Sequence, residues 1–286
     1  MLKSTISLVL TTCLLASAPL RRPLVIGIDH TPLAVHNLTK LQRTFPEWDF
    51  ALKAGRPHDD GIQNRHIKFP NNGEIELITA SCPKDDLAKE YADWLAGSSD
   101  GVAFWSLYAP DQNALTQLLS ERGLQPKCRD RLVTYSQSVA PHRVFFAGRL
   151  PSPTDGPAYW SHPNTAYKLA KIWLSGTASE GGLLEQLGAR MDSGRACSPF
   201  DSHPAAYVFP AEGDEVLISK NIHTNLERTV IGLTVLVRSL ATARLILDAN
   251  HIGYVEAEQC DTHSIWVKPS DAHGVWLEFA QGIGSN

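Results

Sequence analysis

From residue 24 the chain alternates between apolar and polar positions. Leu24, Ile26, Ile28 and His30 fall on one face of an extended segment, with Val25, Gly27, Asp29 and Thr31 on the other, the period-two signature of a strand. Asn37 is placed to cap a helix over 38–45, its amide oxygen accepting one of the free backbone N–H groups of the first turn. Residues 49–53 read as a short strand and 56–64 as a polar loop. Residues 65–69 and 74–79 form a hairpin turning at Asn71-Asn72-Gly73. The same order of strand, helix and strands returns three times. Segments 101–108, 111–122, 132–135 and 143–150 make the second unit, with Gly123 stopping its helix. Segments 167–174, 183–187, 205–209 and 215–219 make the third, and 229–237, 241–249, 264–268 and 274–280 the fourth. Four units give two pairs, and the Pro-rich stretch 151–163 (PSPTDGPAYWSHP) separates them. The domain expectation is therefore 24–150 and 164–281, with 151–163 as linker and 1–23 as a leader.

The bulk numbers agree with two globular domains: 286 residues, 43% apolar and 20% charged. A net charge of -4 without a long basic run excludes nucleic acid or an anionic membrane as the main partner. No apolar run approaches the roughly 20 residues of a membrane span. The partner expected is a small-molecule ligand or substrate, for a monomer or homodimer. At the N-terminus, Lys3 precedes the apolar stretch 6–18, and Ala16-Ser17-Ala18 has the small-x-small form of a signal-peptide cleavage site. Pro19 opposes cleavage, so both a secreted and a cytoplasmic location stand, the latter with 1–18 as a short leading helix. Cys82, Cys128, Cys197 and Cys260, with Cys13 in the leader, are too sparse for a disulfide scaffold and form no C-x-x-C pair.

Ile28-Asp29-His30-Thr31 with Leu33-Ala34-Val35 is followed by Gly55-Arg56-Pro57-His58, by Gly61 and Asn64, and by Glu74-Ile75-Glu76-Leu77-Ile78. In this order and spacing, these motifs resemble the glyoxalase-like domain family of the vicinal oxygen chelate superfamily. His162-Pro163-Asn164 and the ending Gly274-Val275-Trp276-Leu277-Glu278-Phe279 are similar to that family too. The resemblance is strongest over 24–80. It implies an α+β fold of four tandem βαβββ units in two pairs, each pair curving a mixed sheet into a cleft. Family members often hold a divalent metal there, on ligands from the first and last strands of the units. They include isomerases, lyases, dioxygenases and metal-free binding proteins, so the fold alone does not fix the reaction.

On that resemblance His30 and Glu76 are the candidate metal pair, suited to Zn, Fe, Mn or Ni. The alternative is a satisfied strand histidine beside a solvated glutamate. A catalytic metal needs about three protein ligands and an open position. Ser106 on the next unit's first strand is a poor ligand, which leaves His142 or His162, the latter after a short strand at 158–161. Aligned pair against pair, Glu278 takes the place of Glu76 as a weak further candidate, and Gly232 or Leu233 takes that of His30. The hairpin 214–217 offers no aligned carboxylate, so the four-ligand set of glyoxalase I is absent. Arg56, His58 and Asn64 form a loop cluster able to hold a carboxylate or carbonyl oxygen, with His58 an acid or base near neutral pH. Two functions follow. One is a divalent-metal enzyme acting on a small oxygenated metabolite, of isomerase, lyase or dioxygenase type. The other is a metal-free small-molecule-binding or resistance-type protein of the same fold.

Overall fold

The first unit forms as its pattern dictates. Strands β1 (Gly27–Ile28) and β2 (His30–Ala34) are one extended run broken at Asp29. Helix α1 (Leu38–Glu47) starts where Asn37 accepts from the Lys40 N–H, and it buries Leu38, Leu41 and Phe45. Burying each such side chain stabilises by about 1.5–3 kcal/mol. Asp49 then turns the chain with a φ of 57°, so the strand expected at 49–53 is delayed to β3 (Lys53–Ala54). Strands β4 (Ile62–Lys68) and β5 (Glu74–Ala80) are the expected hairpin, with Asn72 at a φ of 63° in its turn. The structure is a computed structural model describing residues 23–282 apart from 57, 130–131, 136–142, 150, 177, 193–197, 202, 221–228 and 258–263. The leader over 1–22, Cys13, His142, Cys197 and Cys260 lie outside the described residues.

Helix α2 (Asp86–Gly97) was not expected. It is capped by Asp85 and turns Ala88, Tyr91, Trp94 and Leu95 inward. The second unit then runs β6 (Gly101–Val102), β7 (Trp105–Tyr108), α3 (Gln112–Glu121), β8 (Lys127–Arg129), β9 (Leu132–Thr134) and β10 (Val144–Ala147). Between the pairs lies one helical turn, α4 (Pro157–Trp160), with proline in its first turn, where a strand leading to His162 was expected. The third unit is β11 (Ala166–Ser175), α5 (Ala178–Gln186), β12 (Arg190–Asp192), β13 (Ala205–Phe209) and β14 (Asp214–Ser219). The fourth is β15 (Val230–Val237), α6 (Leu240–Ala249), β16 (Tyr254–Ala257), β17 (Ser264–Val267) and β18 (Trp276–Gln281).

The strand order shows the pairing of units. The second pair makes one eight-stranded sheet, β12-β13-β14-β11-β15-β18-β17-β16. The first pair repeats that order as two five-stranded sheets, β3-β4-β5-β2-β6 and β1-β7-β10-β9-β8. They part where the first strand breaks at Asp29 and its antiparallel neighbour breaks at 103–104. Each unit's first and last strands pair in parallel: β2 with β5, β7 with β10, β11 with β14, and β15 with β18. A single apolar core joins α1, α3, α5 and α6 to one face of every sheet and runs through both pairs, with Phe50 stacked on Phe279 at 5.8 Å. The other faces carry two smaller apolar clusters, one for each cleft.

Candidate functional site

The first cleft brings together residues from four places in the chain. Strict alternation would send Asp29 to the face opposite His30. The break between β1 and β2 suspends that alternation, and the His30 Nδ1–H donates to Asp29 Oδ1 at 2.6 Å. This leaves Nε2 directed toward Glu76, with Oε2 at 3.9 Å. From β4, Asn64 Nδ2 donates to Glu76 Oε1 at 2.6 Å and to His58 Nε2 at 3.3 Å. An Nε2 that accepts leaves the His58 proton on Nδ1, which faces Asp60 Oδ2 at 4.0 Å. His30, Glu76, Asn64 and His58 thus form one connected polar cluster. The side chains of His30 and Glu76 keep 16% and 15% of their surface open, enough for a ligand atom to touch both.

The cluster's electrostatics rest on the ring of carboxylates around His30. Burial pushes the imidazole pKa down, but the hydrogen bond and charge of Asp29, with Glu74 and Glu76, more than reverse this and raise it to about 9. His30 is therefore an imidazolium at neutral pH, with a cationic N–H facing the cleft. Glu74 lies in register with His30, and its carboxyl is held far below the usual range. Burial would raise it, but the hydrogen bond and charge of His66, with the charges of His30 and Lys68, outweigh burial. Lys68 Nζ is 2.6 Å from Glu74, and Lys68 and Lys53 both pair with Asp155 from the linker. The apolar wall comes from Phe104, Phe145 and the α2 residues Tyr91 and Trp94.

The glyoxalase-like domain family matches residues 28–180, more than half of the 286-residue chain and the whole of this cluster. The chain belongs to the glyoxalase-like domain family. No curated protein matches this glyoxalase-like chain. Its solved structural neighbours include a catechol 2,3-dioxygenase, 12% identical over 91% of this chain and 89% of that one, with a TM-score of 0.60. The 2,3-dioxygenase LapB from Pseudomonas sp. KL28 is 17% identical over 90% and 92%, with a TM-score of 0.60. A hypothetical protein from Staphylococcus aureus is 11% identical over 90% and 99%, with a TM-score of 0.60. At these identities the likeness establishes the fold alone, the one shared with these dioxygenases.

Such a fold often implies a divalent metal, and the donors of this glyoxalase-like chain can be tested for one. In the first cleft the first and last strands of the two units supply His30, Glu76, Ser106 and Phe145. Ser106 and Phe145 are in register, and the Phe145 ring stands edge-on to His30 at 5.0 Å. Ser106 is fully buried, and its hydroxyl has no hydrogen-bond partner. Two donors thus face a hydroxyl and a phenyl ring. Among the described residues no group of three His, Cys, Asp or Glu is placed to hold a metal. The first cleft does not fit a resident catalytic metal, whose usual minimum is about three protein ligands.

The remaining candidates are elsewhere. His162 is buried in the linker, where Nδ1 accepts from the Ala51 N–H at 3.0 Å and Nε2–H donates to Lys68 O at 2.8 Å. Both nitrogens are occupied, and burial pushes its pKa down, so it is a neutral strut between Phe50 and Phe69 rather than a third ligand. Glu278 lies in the other sheet, buried and bonded to Thr234. The sheet order corrects its alignment. β18 corresponds to β10, so Glu278 matches Phe145, not Glu76, and His30 is matched on β11 rather than at Gly232 or Leu233. Arg56 is exposed and forms no hydrogen bond or ion pair with the cluster's described residues. The sequence reading missed Asp29 and Glu74. Asp29 is adjacent to His30 in the quoted motif, and only the strand break makes it a partner. The acidic-apolar alternation at 74–77 does put Glu74 on the Glu76 face.

Proposed function

We propose that the chain is a vicinal oxygen chelate type enzyme that moves a proton on a small carbonyl-bearing metabolite, in the manner of an isomerase or epimerase. The observation that carries this reading is the acid–base pair of His30 and Glu76 at 3.9 Å. The free Glu76 Oε2 takes a proton from the carbon next to the carbonyl, the electron pair left behind forms an enolate, and the Glu76 carboxyl then returns the proton to carbon, which regenerates the carboxylate. The His30 Nε2–H holds the developing oxyanion, with Asp29 behind the ring to stabilise its charge. Asn64 fixes the other Glu76 oxygen, and His58, held by the same amide, is placed to contact a second substrate oxygen. No step needs a metal. The divalent-metal enzyme of the sequence reading has only His30 and Glu76 to hold its ion.

The test is exchange of α-protons for deuterium in D2O, followed by NMR over a panel of 2-oxo acids, hydroxyketones and aldehydes. One compound class is expected to exchange with the native chain. Glu76→Gln and His30→Gln are each expected to slow that exchange by about 100-fold or more. A compound that binds at the cleft without exchange supports instead a metal-free binding protein, which the aromatic wall of Tyr91, Trp94, Phe104 and Phe145 also suits. Stoichiometric metal in the purified chain, with exchange abolished by chelation, would return the metal-dependent reading.

A further inference from the structure

The second cleft carries a polar row across its sheet, at positions that match Glu74, His30, Ser106 and Phe145 of the first. Glu215 on β14 is in register with Lys171 on β11, Lys171 with Thr234 on β15, and Thr234 with Glu278 on β18. These are the first and last strands of the third and fourth units. Alternation places all four on one face, because Val216, Ile172, Val235 and Phe279 beside them enter the main core. Trp173, Leu217 and Trp266, which share the row's face, form the separate cluster of the second cleft. Glu215 thus holds the place of Glu74 and Leu217 that of Glu76, so the hairpin 214–217 offers no carboxylate where the first cleft has Glu76.

The row is bonded within itself. Lys171 Nζ lies 3.2 Å from Glu215 Oε2, and its charge also acts on Glu278. The Thr234 hydroxyl donates to Glu278 Oε2 while accepting the Trp173 indole N–H at 2.8 Å. Ser264 Oγ donates to Glu278 too, and accepts from Trp266 Nε1–H at 3.0 Å. Phe200 covers the row, its ring 5.4 Å from Trp173, 5.5 Å from Trp266 and 5.8 Å from Trp276. Two carboxylates, one hydroxyl and a cation thus share one row, with Lys171 paired to Glu215 and the Glu278 carboxyl bonded to the Thr234 and Ser264 hydroxyls.

We propose that the Lys171 ammonium is the built-in cation of the second cleft, paired with Glu215 and acting through its charge on Glu278, in the place of a divalent ion. A lysine brings one charge on a flexible stem, and that charge offsets the repulsion between the two carboxylates, while burial pushes the Glu278 carboxyl pKa up. The second pair then folds without metal and is a structural partner to the first cleft. Replacing the lysine by a donor of metals should reopen the site, since Lys171→His would leave imidazole, Glu215 and Glu278 in one row, with Thr234 beside them.

The experiment titrates Zn2+ and Mn2+ into the full chain by calorimetry and follows thermal unfolding with and without metal. All chains carry His30→Ala, so the first cleft contributes nothing and failure of its own reading does not enter. With Lys171 present, no ion is expected to bind at the second cleft. Lys171→His is expected to gain one equivalent, with a rise in Tm on adding metal that Glu278→Gln in the same chain removes. Lys171→Arg, which keeps the cation, is expected to unfold like the parent, and Lys171→Met at a lower temperature. If Lys171→His folds only with metal, that rescue supports the proposal equally. The proposal is overturned if the parent binds an ion that Glu278→Gln abolishes. It is also overturned if Lys171→Met is as stable as the parent, or if Lys171→His folds or fails to fold alike with and without metal.

Discussion

At the residue scale, the account turns on two histidines with opposite fates. His30 is ringed by carboxylates and raised to about 9, against 6.5 for an ordinary imidazole. A folded pKa above the unfolded one means stabilisation that is fully present below pH 6.5 and lost as pH rises through 9. The upper limit of that contribution is about 3 kcal/mol. Denaturation midpoints of the native chain are therefore expected to fall between pH 6.5 and 9, and His30→Ala to flatten that slope. His162 is the reverse case, buried and neutral with both nitrogens on backbone groups. His162→Ala leaves the Ala51 N–H and the Lys68 carbonyl unpaired and opens a hole between Phe50 and Phe69. It is expected to cost about 2–4 kcal/mol by urea denaturation, without changing metal content or the His30 titration. Residue types in the sequence marked both as chemistry. Only their neighbours separate them, and those lie 94 and 111 residues away for His162 but one residue away for His30.

At the element scale, the repeated strand–helix–strands order was legible because period two and helical spacing alternate with turn residues. The capped helix at Asn37 and the hairpin at Asn72 are where expected. Helix α2 was passed over although its signals are local. Asp85 is a capping residue, and Tyr91, Trp94 and Leu95 recur at helical spacing. It fell between two units of an otherwise complete repeat, and the repeat masked it. Its packing on the open face of the first sheet makes it part of the cleft wall. Trp94→Ala is expected to cost about 3–5 kcal/mol, and Asp85→Ala about 1 kcal/mol. Calorimetric unfolding of the two variants measures both. If Trp94→Ala costs under half of that range, α2 is a loose cover rather than a wall.

At the scale of the whole molecule, the second pair reaches back to the strand that carries the site. Asp214 is fully buried, and its Oδ2 accepts the Ile28 N–H at 2.7 Å while Oδ1 lies 2.5 Å from Lys168 Nζ. Arg149 donates its backbone N–H to Asp29 Oδ2 at 3.0 Å, and its guanidinium to Ile28 O and Glu212. Residue 28 is thus held by Asp214 of the second pair, and residue 29 by Arg149 of the first pair, which Glu212 of the second pair anchors in turn, immediately before His30. No local pattern announces this, because the partners are 120 and 186 residues away. Asp214→Ala removes one partner of a buried charge cluster and is expected to destabilise by about 3–5 kcal/mol. Chemical denaturation should show one cooperative transition at a lower midpoint, since a single core runs through both pairs. Two separate transitions in the native chain would contradict that coupling.

The same architecture gives the two clefts different polar rows. In the first, His30 and Glu76 face a hydroxyl and a phenyl ring, and in the second, Lys171 pairs with Glu215. The central claim is that His30 works as a metal-free imidazolium directed at the cleft. NMR of the ring nitrogens of selectively 15N-labelled His30 tests it most directly. Both nitrogens are predicted to be protonated at neutral pH and to titrate near 9, with the midpoint lowered in Glu76→Gln. A His30 that titrates at or below 6.5, or whose Nε2 shows metal coordination in the purified chain, would contradict it.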